Sequence, residues 1–222
     1  MTWYLVIAAL AGYLLGSLPF GYLVARSYGV DIFKVGSGNP GATNVKRVLG
    51  AKAGNTVFAL DVLKGALASS WSLLSWTSLS MTVDMETGGE TAVISGEAWR
   101  LLGLAGVIGA VLGHSFSLFT KFKGGKGVAT AAGGVLVLMP VSCLIAAVVW
   151  VVTFYTTRYV SLGSILAAAA LGVATWIRGN PLPLNIVVTL LVLFVIARHR
   201  ENITRLLNGT ENKFVKRKPT QV

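Results

Sequence analysis

Apolar and polar positions fall in blocks along this chain. Long apolar runs occupy residues 3–25, 54–76, 101–118 and 128 nearly to 197, with polar, glycine-rich segments between them. Runs of this length predict membrane-crossing helices, whereas a membrane barrel needs strict apolar/polar alternation that these runs lack. The pattern predicts seven spans, near 3–25, 54–76, 101–118, 127–139, 140–157, 160–177 and 184–198. The alternative is one helix over 128–157, bent at Pro140, which leaves six. The fourth and seventh spans are short. At about 1.5 Å per residue they reach only about 20–22 Å, so a thinned bilayer or snorkelling cations such as Arg198 must supply the rest.

Composition agrees with the pattern. Hydrophobic residues make up 54% of the chain and charged residues 12%, against about 25% charged in an ordinary soluble domain. Mean hydropathy is +0.71. The first run has no basic residue before it and is too long for a signal-peptide core, so it reads as a retained span. Cys143 is the sole cysteine, which excludes an intramolecular disulfide and a cysteine metal cluster. Residues 1–222 read as a single polytopic domain, with a loose basic tail from about 212 to 222.

Net charge is +11, and the seven-span scheme gives it a direction. One side receives 16 of the 19 basic residues; the other receives Arg100 and Arg178 together with Asp84, Glu86, Glu90 and Glu97. The positive-inside rule makes the cation-rich side cytoplasmic, with the N-terminus outside and the C-terminus inside. Six spans would put seven tail cations outside, so the rule favours seven.

Three polar segments then share the cytoplasmic face: GSGNPGATNVKR (36–47), GHSFSLFTKFKGGKGVAT (113–130) and HRENITRLLNGTE (199–211). Topology accounts for their lysines and arginines. It does not account for clustered Gly, Asn, Ser, Thr and His. In the first, Asn39 suits an N-cap and Pro40 the first helical position, predicting a short helix from Pro40 to about Leu49 that stops at Gly50. Pro40, Thr43 and Arg47 then share one face, and Ser37 and Gly38 precede free backbone N–H groups: an anion site. The other reading is an interfacial helix lying on lipid headgroups.

In the second segment, Gly124-Gly125-Lys126-Gly127 opens the fourth span. Its glycines allow close backbone approach to a ligand, and Lys126 adds a point charge. It is not a nucleoside-triphosphate loop, because Thr120 and Gly127 stand where that pattern needs Gly and Ser or Thr. Ser161 and Ser164 open the sixth span, either as part of an anion-binding helix start or simply as N-caps. The third segment sets His199, Asn202 and Arg205 at successive i+3 positions. Asp61 and Lys64, also i, i+3, lie inside the second span. An embedded ion costs about 2.5–3.5 kcal/mol on insertion scales, so they read as a pair, either structural or beneath the site.

These features predict a cytoplasm-facing pocket for more than one phosphate-sized anion. An enzyme acting on phosphorylated lipid precursors fits. A transporter of organic phosphates is the rival, although polar motifs clustered at one end favour an enzyme. A structural scaffold leaves the glycine-rich motifs unexplained.

At these residues the chain resembles the bacterial acyl-phosphate:glycerol-3-phosphate acyltransferases of the PlsY type. Ser37 to Arg47 match SGNxGxTNxxR throughout. Gly113 to Thr130 match GHxxPxFxxFxGGKGVAT except for Ser117 in place of proline, which puts the rigidity of that loop in question. His199 to Glu211 match HxxNxxRLxxGxE throughout. The resemblance implies a seven-helix enzyme of the bacterial inner membrane. Such an enzyme moves an acyl group from a long-chain acyl phosphate to the 1-hydroxyl of glycerol 3-phosphate, giving lysophosphatidic acid and phosphate.

By position, the resemblance implies catalytic roles for Ser37, Arg47, His199 and Asn202. It implies substrate contacts from Gly38, Asn39, Thr43, Asn44, His114, Gly124, Gly125, Lys126, Gly127 and Ser164. Support would come from Glu211, Arg205, Asp61 and Lys64. No metal, cofactor or nucleic acid is expected, and the protein is expected to act as a monomer among membrane lipids. The chain also lacks the HxxxxD signature of acyl-CoA enzymes: Phe119 follows His114 by five residues, and Thr204 follows His199. His199, His114 and a substrate phosphate all remain candidates for the proton acceptor.

Overall fold

A computed structural model describes residues 2–75, 81–84, 91–94 and 96–214. The chain divides into two compact units, residues 1–140 and 141–222, each taken here by itself. The tail expected to be loose lies largely outside the described residues, as do Glu86 and Glu90.

The first unit opens with α1 (Thr2–Ser17) and α2 (Phe20–Ser27), then α3 (Ala42–Leu49) and α4 (Ala51–Ser69), which runs on into a 3₁₀ turn at Ser70–Ser75. The expected first span matches the crossing segment Thr2–Ser27, but its helix is interrupted at Leu18-Pro19. Pro19 brings no N–H to the helix ladder and disfavours helical backbone in the residue before it.

The next elements are β1 (Met81–Asp84) and β2 (Thr91–Ile94), paired antiparallel with Met81 opposite Ile94 and Asp84 opposite Thr91. This ribbon is a small addition to an otherwise helical chain, as expected. The stretches MTVD and TAVI are rich in β-branched residues, which suit a strand, but each is too short to stand out beside the long apolar runs. Then come α5 (Gly96–Ser115), a 3₁₀ turn at Leu118–Thr120 and α6 (Val128–Leu138).

Small residues let these helices touch along their backbones. A Cβ on Gly12 would meet the carbonyl of Gly106, and one on Gly16 that of Ala110; from the other side, Gly109 and Gly113 press on Ala9, Tyr13 and Ser17. These contacts seat α1 on α5. Gly65 against Thr130 and Gly133 against Val62 do the same for α4 and α6. Lipid supplies no hydrophobic drive between helices, so such close approach is how membrane helices gain packing energy.

The second unit holds α7 (Pro140–Thr157), α8 (Val160–Ile177), α9 (Leu182–Arg198) and α10 (Arg200–Leu207). The bounds of α7 and α8 coincide with two expected spans. The helix leaves α6 at Met139, whose φ of −144° and ψ of 68° are not helical. The 128–157 stretch is therefore two helices and not one bent helix.

By length and composition, four described segments can cross a membrane: Thr2–Ser27, Ala98–Thr120, Pro140–Thr157 and Val160–Ile177. A fifth is formed if α9 and α10, bent by 56°, count as one. The α4 helix carries Lys52, Asp61 and Lys64, and α6 has only 11 residues, so these two fall short on apolarity and on length.

Candidate active site

The first polar segment is built over a small apolar core. Ile32, Val45 and Val57 are completely buried, with Ala25 and Ala53 beside them. The helix begins later than its sequence suggests. Asn39 Oδ1 accepts the Gly41 N–H at 2.8 Å, closing a turn in place of an N-cap, so Pro40 sits outside the helix and Gly41, with extended backbone, precedes Ala42. The predicted stop at Gly50, with φ +89°, is observed.

The side chains of this segment divide into two groups. Asn44 is 2% exposed. Its Oδ1 accepts the Ser37 N–H at 2.9 Å and its Nδ2 donates to the Val35 carbonyl at 3.1 Å. Gly38, at φ +67°, completes the turn. Asn39, Asn44 and Gly38 therefore shape the loop, and both ends of the Asn44 amide are committed to it. The Ser37 hydroxyl, Thr43 and Arg47 make no side-chain hydrogen bond or ion pair among the described residues; Ser37 is exposed, and Thr43 and Arg47 are half-buried one helical turn apart. They are the groups available to a ligand.

The second segment folds around His114. A Cβ on Gly124 would strike the His114 carbonyl, and one on Gly125 the His114 ring at Nε2. Gly125 N–H donates to that same carbonyl at 3.1 Å. Gly125 is thus demanded by the histidine ring and Gly124 by the backbone at His114 and Ser115, and the Gly125 N–H, expected to face a ligand, is engaged within the protein. Gly127, at φ +79°, stands before α6 in a left-handed conformation that favours glycine. Ser117, where the family pattern has proline, has φ −64°, a value proline itself would adopt. It is buried, and its hydroxyl donates to the Ser17 carbonyl. A tether to the end of α1 stands where the family has a ring.

Asp61 and Lys64 do pair, with Oδ1 2.8 Å from Nζ and side chains 3% and 2% exposed. Lys64 Nζ also donates to the Leu18 carbonyl at 3.0 Å and lies over the Phe20 ring. Asp61 Oδ1 is 3.5 Å from His114 Nδ1. A small crevice of about 10 Å³ in this unit, room for one water at most, brings these parts together, lined among others by Leu18, Phe20, Pro40, Asp61, Lys64, His114 and Gly125. Sequence reasoning missed the contribution of the Leu18–Phe20 break. Pro19 within an apolar run was its one available signal.

In the second unit, Glu211 gathers the third segment. It accepts from Ser161 Oγ at 2.9 Å, Asn202 Nδ2 at 2.8 Å and Arg205 Nε at 2.8 Å. Burial opposes ionisation of Glu211, but the hydrogen bonds from Arg205, Asn202 and Ser161 and the Arg205 charge outweigh it, holding the carboxyl below the usual glutamate range.

His199 is buried at the bend between α9 and α10, and its Nδ1 lies 2.8 Å from the Val195 carbonyl. A carbonyl only accepts, so Nδ1 carries the hydrogen. Ser164 is buried, donating to the Val160 carbonyl at 2.9 Å and accepting from Trp150 Nε1 at 3.3 Å. Neither Ser161 nor Ser164 acts as an N-cap: Tyr159 holds that position, and no side chain caps it.

The family model for glycerol-3-phosphate acyltransferase matches residues 6–209. The chain belongs to the glycerol-3-phosphate acyltransferase family. Among its relatives, the glycerol-3-phosphate acyltransferase of Geobacillus kaustophilus (strain HTA426) is 44% identical over 205 residues, covering 92% of this chain and 93% of that one. The one from Aquifex aeolicus (strain VF5) is 42% identical over 213 residues, covering 95% and 98%.

Crystal structures of PlsY (YgiH), an integral membrane glycerol 3-phosphate acyltransferase, are similar in fold. The glycerol 3-phosphate form has a TM-score of 0.81 at 39% identity and covers 95% of this chain and 96% of that one. The lysophosphatidic acid form has a TM-score of 0.78 at 38% identity. The family assignment expected from the three motifs holds, and so does the integral membrane character.

Proposed function

We propose that this acyltransferase takes its acyl group from a long-chain acyl phosphate and delivers it to the 1-hydroxyl of glycerol 3-phosphate. The hydroxyl oxygen attacks the carbonyl carbon of the mixed anhydride, the carbon–oxygen bond to phosphate breaks, and lysophosphatidic acid and inorganic phosphate leave. The observation that carries this reading is the family membership, joined to the likeness to PlsY in forms with glycerol 3-phosphate and lysophosphatidic acid. An anhydride has a good leaving group. Catalysis then rests on positioning and charge stabilisation more than on a strong base.

In this reading Ser37, Thr43 and Arg47 hold a phosphate, with Arg47 offering a bidentate fork. Lys126 and the start of α6 hold phosphate charge near the glycine turn. His199 and Asn202 serve catalysis in this reading, with Glu211 and Arg205 as their frame. The hydroxyl proton passes to a substrate phosphate, because cations outnumber plausible bases in the three motifs. If His114→Ala or His199→Ala abolishes a rate-controlling ionisation while substrate binding survives, that histidine is the base.

The enzyme works as a monomer with seven spans, N-terminus outside and C-terminus in the cytoplasm, in the bacterial inner membrane, and its site opens to the cytoplasm. Support comes from the four described segments able to cross a membrane, five if α9 and α10 count as one, and from the asymmetry of basic residues.

Donor choice is tested by supplying purified protein with glycerol 3-phosphate and either acyl phosphate or acyl-CoA. Acylation from acyl phosphate alone is expected. Equal use of acyl-CoA refutes the donor assignment, and uptake of glycerol 3-phosphate into sealed vesicles without acylation supports a transporter instead.

A further inference from the structure

We infer that Asp61 is a positioning residue for His114, and that the buried Asp61–Lys64 pair fixes the imidazole toward the glycine turn at Gly125. Three observations carry this. Asp61 Oδ1 is reached from two sides, by Lys64 Nζ at 2.8 Å and by His114 Nδ1 at 3.5 Å. The pair is sealed from solvent while the His114 side chain is 10% exposed, so the histidine is the most accessible of the three residues, all of which line the crevice. The opposite ring nitrogen, Nε2, abuts Gly125, where a Cβ would collide with it, and Gly125 lines the same crevice.

Asp61 Oδ1 is buried and makes no formed hydrogen bond among the described residues; a carboxylate can only accept, so the hydrogen is assigned to the His114 Nδ1 that faces it at 3.5 Å. That fixes the ring plane and leaves Nε2 as the atom directed at the glycine turn. Lys64 has a second duty that ties the unit together. At the Leu18-Pro19 break the Leu18 carbonyl accepts the Phe20 N–H at 3.1 Å and, as a second donor, Lys64 Nζ at 3.0 Å. The adjacent Ser17 carbonyl receives the Ser117 hydroxyl. The break in α1, the pair in α4 and the histidine of α5 are thus linked through two side chains. A pair serving only to neutralise charge has no need of the histidine or of the break.

This inference rests on the reading that the protein acylates glycerol 3-phosphate and that His114 serves that reaction. Misplacing a substrate-positioning group by about 1 Å can cost about 100-fold. For Asp61→Asn the KM for glycerol 3-phosphate is expected to rise about tenfold, with a smaller change in kcat. Removing one member of a buried pair can prevent folding, so Asp61→Asn/Lys64→Met, which leaves no unpaired charge, is measured beside it; the same rise in KM is expected.

The chain has only two histidines, so a ¹⁵N-histidine spectrum of the unaltered protein reads the ring directly. His114→Gln assigns the signals. The expected spectrum shows a protonated Nδ1 on His114, and the double variant alters that signal while leaving His199 in place. A bare Nδ1 on His114, or a KM within twofold of the parent in a folded variant, overturns the inference. Failure of the unaltered protein to form lysophosphatidic acid, with the expected His114 spectrum, overturns the functional reading instead.

Discussion

Arg47 and Asn44 lie three residues apart on α3 and do different work. The Asn44 amide is spent on the loop backbone, while the Arg47 side chain has no ion pair or hydrogen bond among the described residues. Arg47→Lys keeps the charge but loses the fork that matches a phosphate. Transfer is expected to fall about a hundredfold, the scale for losing one well-placed donor, with membrane insertion and thermal stability unchanged. Near-normal turnover removes Arg47 from the phosphate site.

Glu211 makes a prediction about stability. A carboxyl held below its ordinary range stabilises the fold fully above its unfolded value and loses that contribution as pH falls through the lower folded value. Glu211→Gln is therefore expected to cost about 1–3 kcal/mol at neutral pH, from the hydrogen bonds weakened. The gap from the parent should narrow on acidification through the carboxylate range. Thermal melts at several pH values check this; a gap that stays constant with pH contradicts it.

At the scale of elements, the close seating of α1 on α5 depends on residues without side chains. Gly12→Ala places a Cβ against the Gly106 carbonyl, whereas a Cβ on Gly172 meets only Val192 methyl groups, at 3.7 and 3.9 Å. Gly12→Ala is expected to lower the melting temperature in detergent by several degrees, an overpacking cost of about 1–3 kcal/mol. Gly172→Ala should be neutral or slightly stabilising, since alanine is the better helix former. Equal effects from the two would mean the α1–α5 contact is looser than the structure has it.

The helices were legible to very different degrees. The α7 and α8 bounds follow from apolarity and Pro140. The break at Leu18-Pro19 was hidden because apolar residues flank it on both sides, so composition does not register it. The start of α3 shifted by two residues because an Asn side chain can cap a helix or close a turn, and only the geometry shows which.

For the molecule as a whole, the family was legible from three motifs, because each combines residue types that neither topology nor packing needs together. What each motif residue does was less legible. Gly124 and Gly125 read as a cradle for a ligand, yet their lack of side chains makes room for His114. Asn44 read as a ligand contact and holds a turn. The Asp61–Lys64 pair was visible from its spacing, but its links to His114 and Leu18 join residues far apart in the chain and had no local signal.

The central claim is that this chain is an acyltransferase drawing on acyl phosphate. Its most direct test follows both products together, from purified protein given acyl phosphate and glycerol 3-phosphate. The account predicts lysophosphatidic acid and inorganic phosphate appearing one for one, with neither formed at appreciable rate when glycerol 3-phosphate is withheld. Phosphate release without lysophosphatidic acid, or lysophosphatidic acid without phosphate, would contradict it.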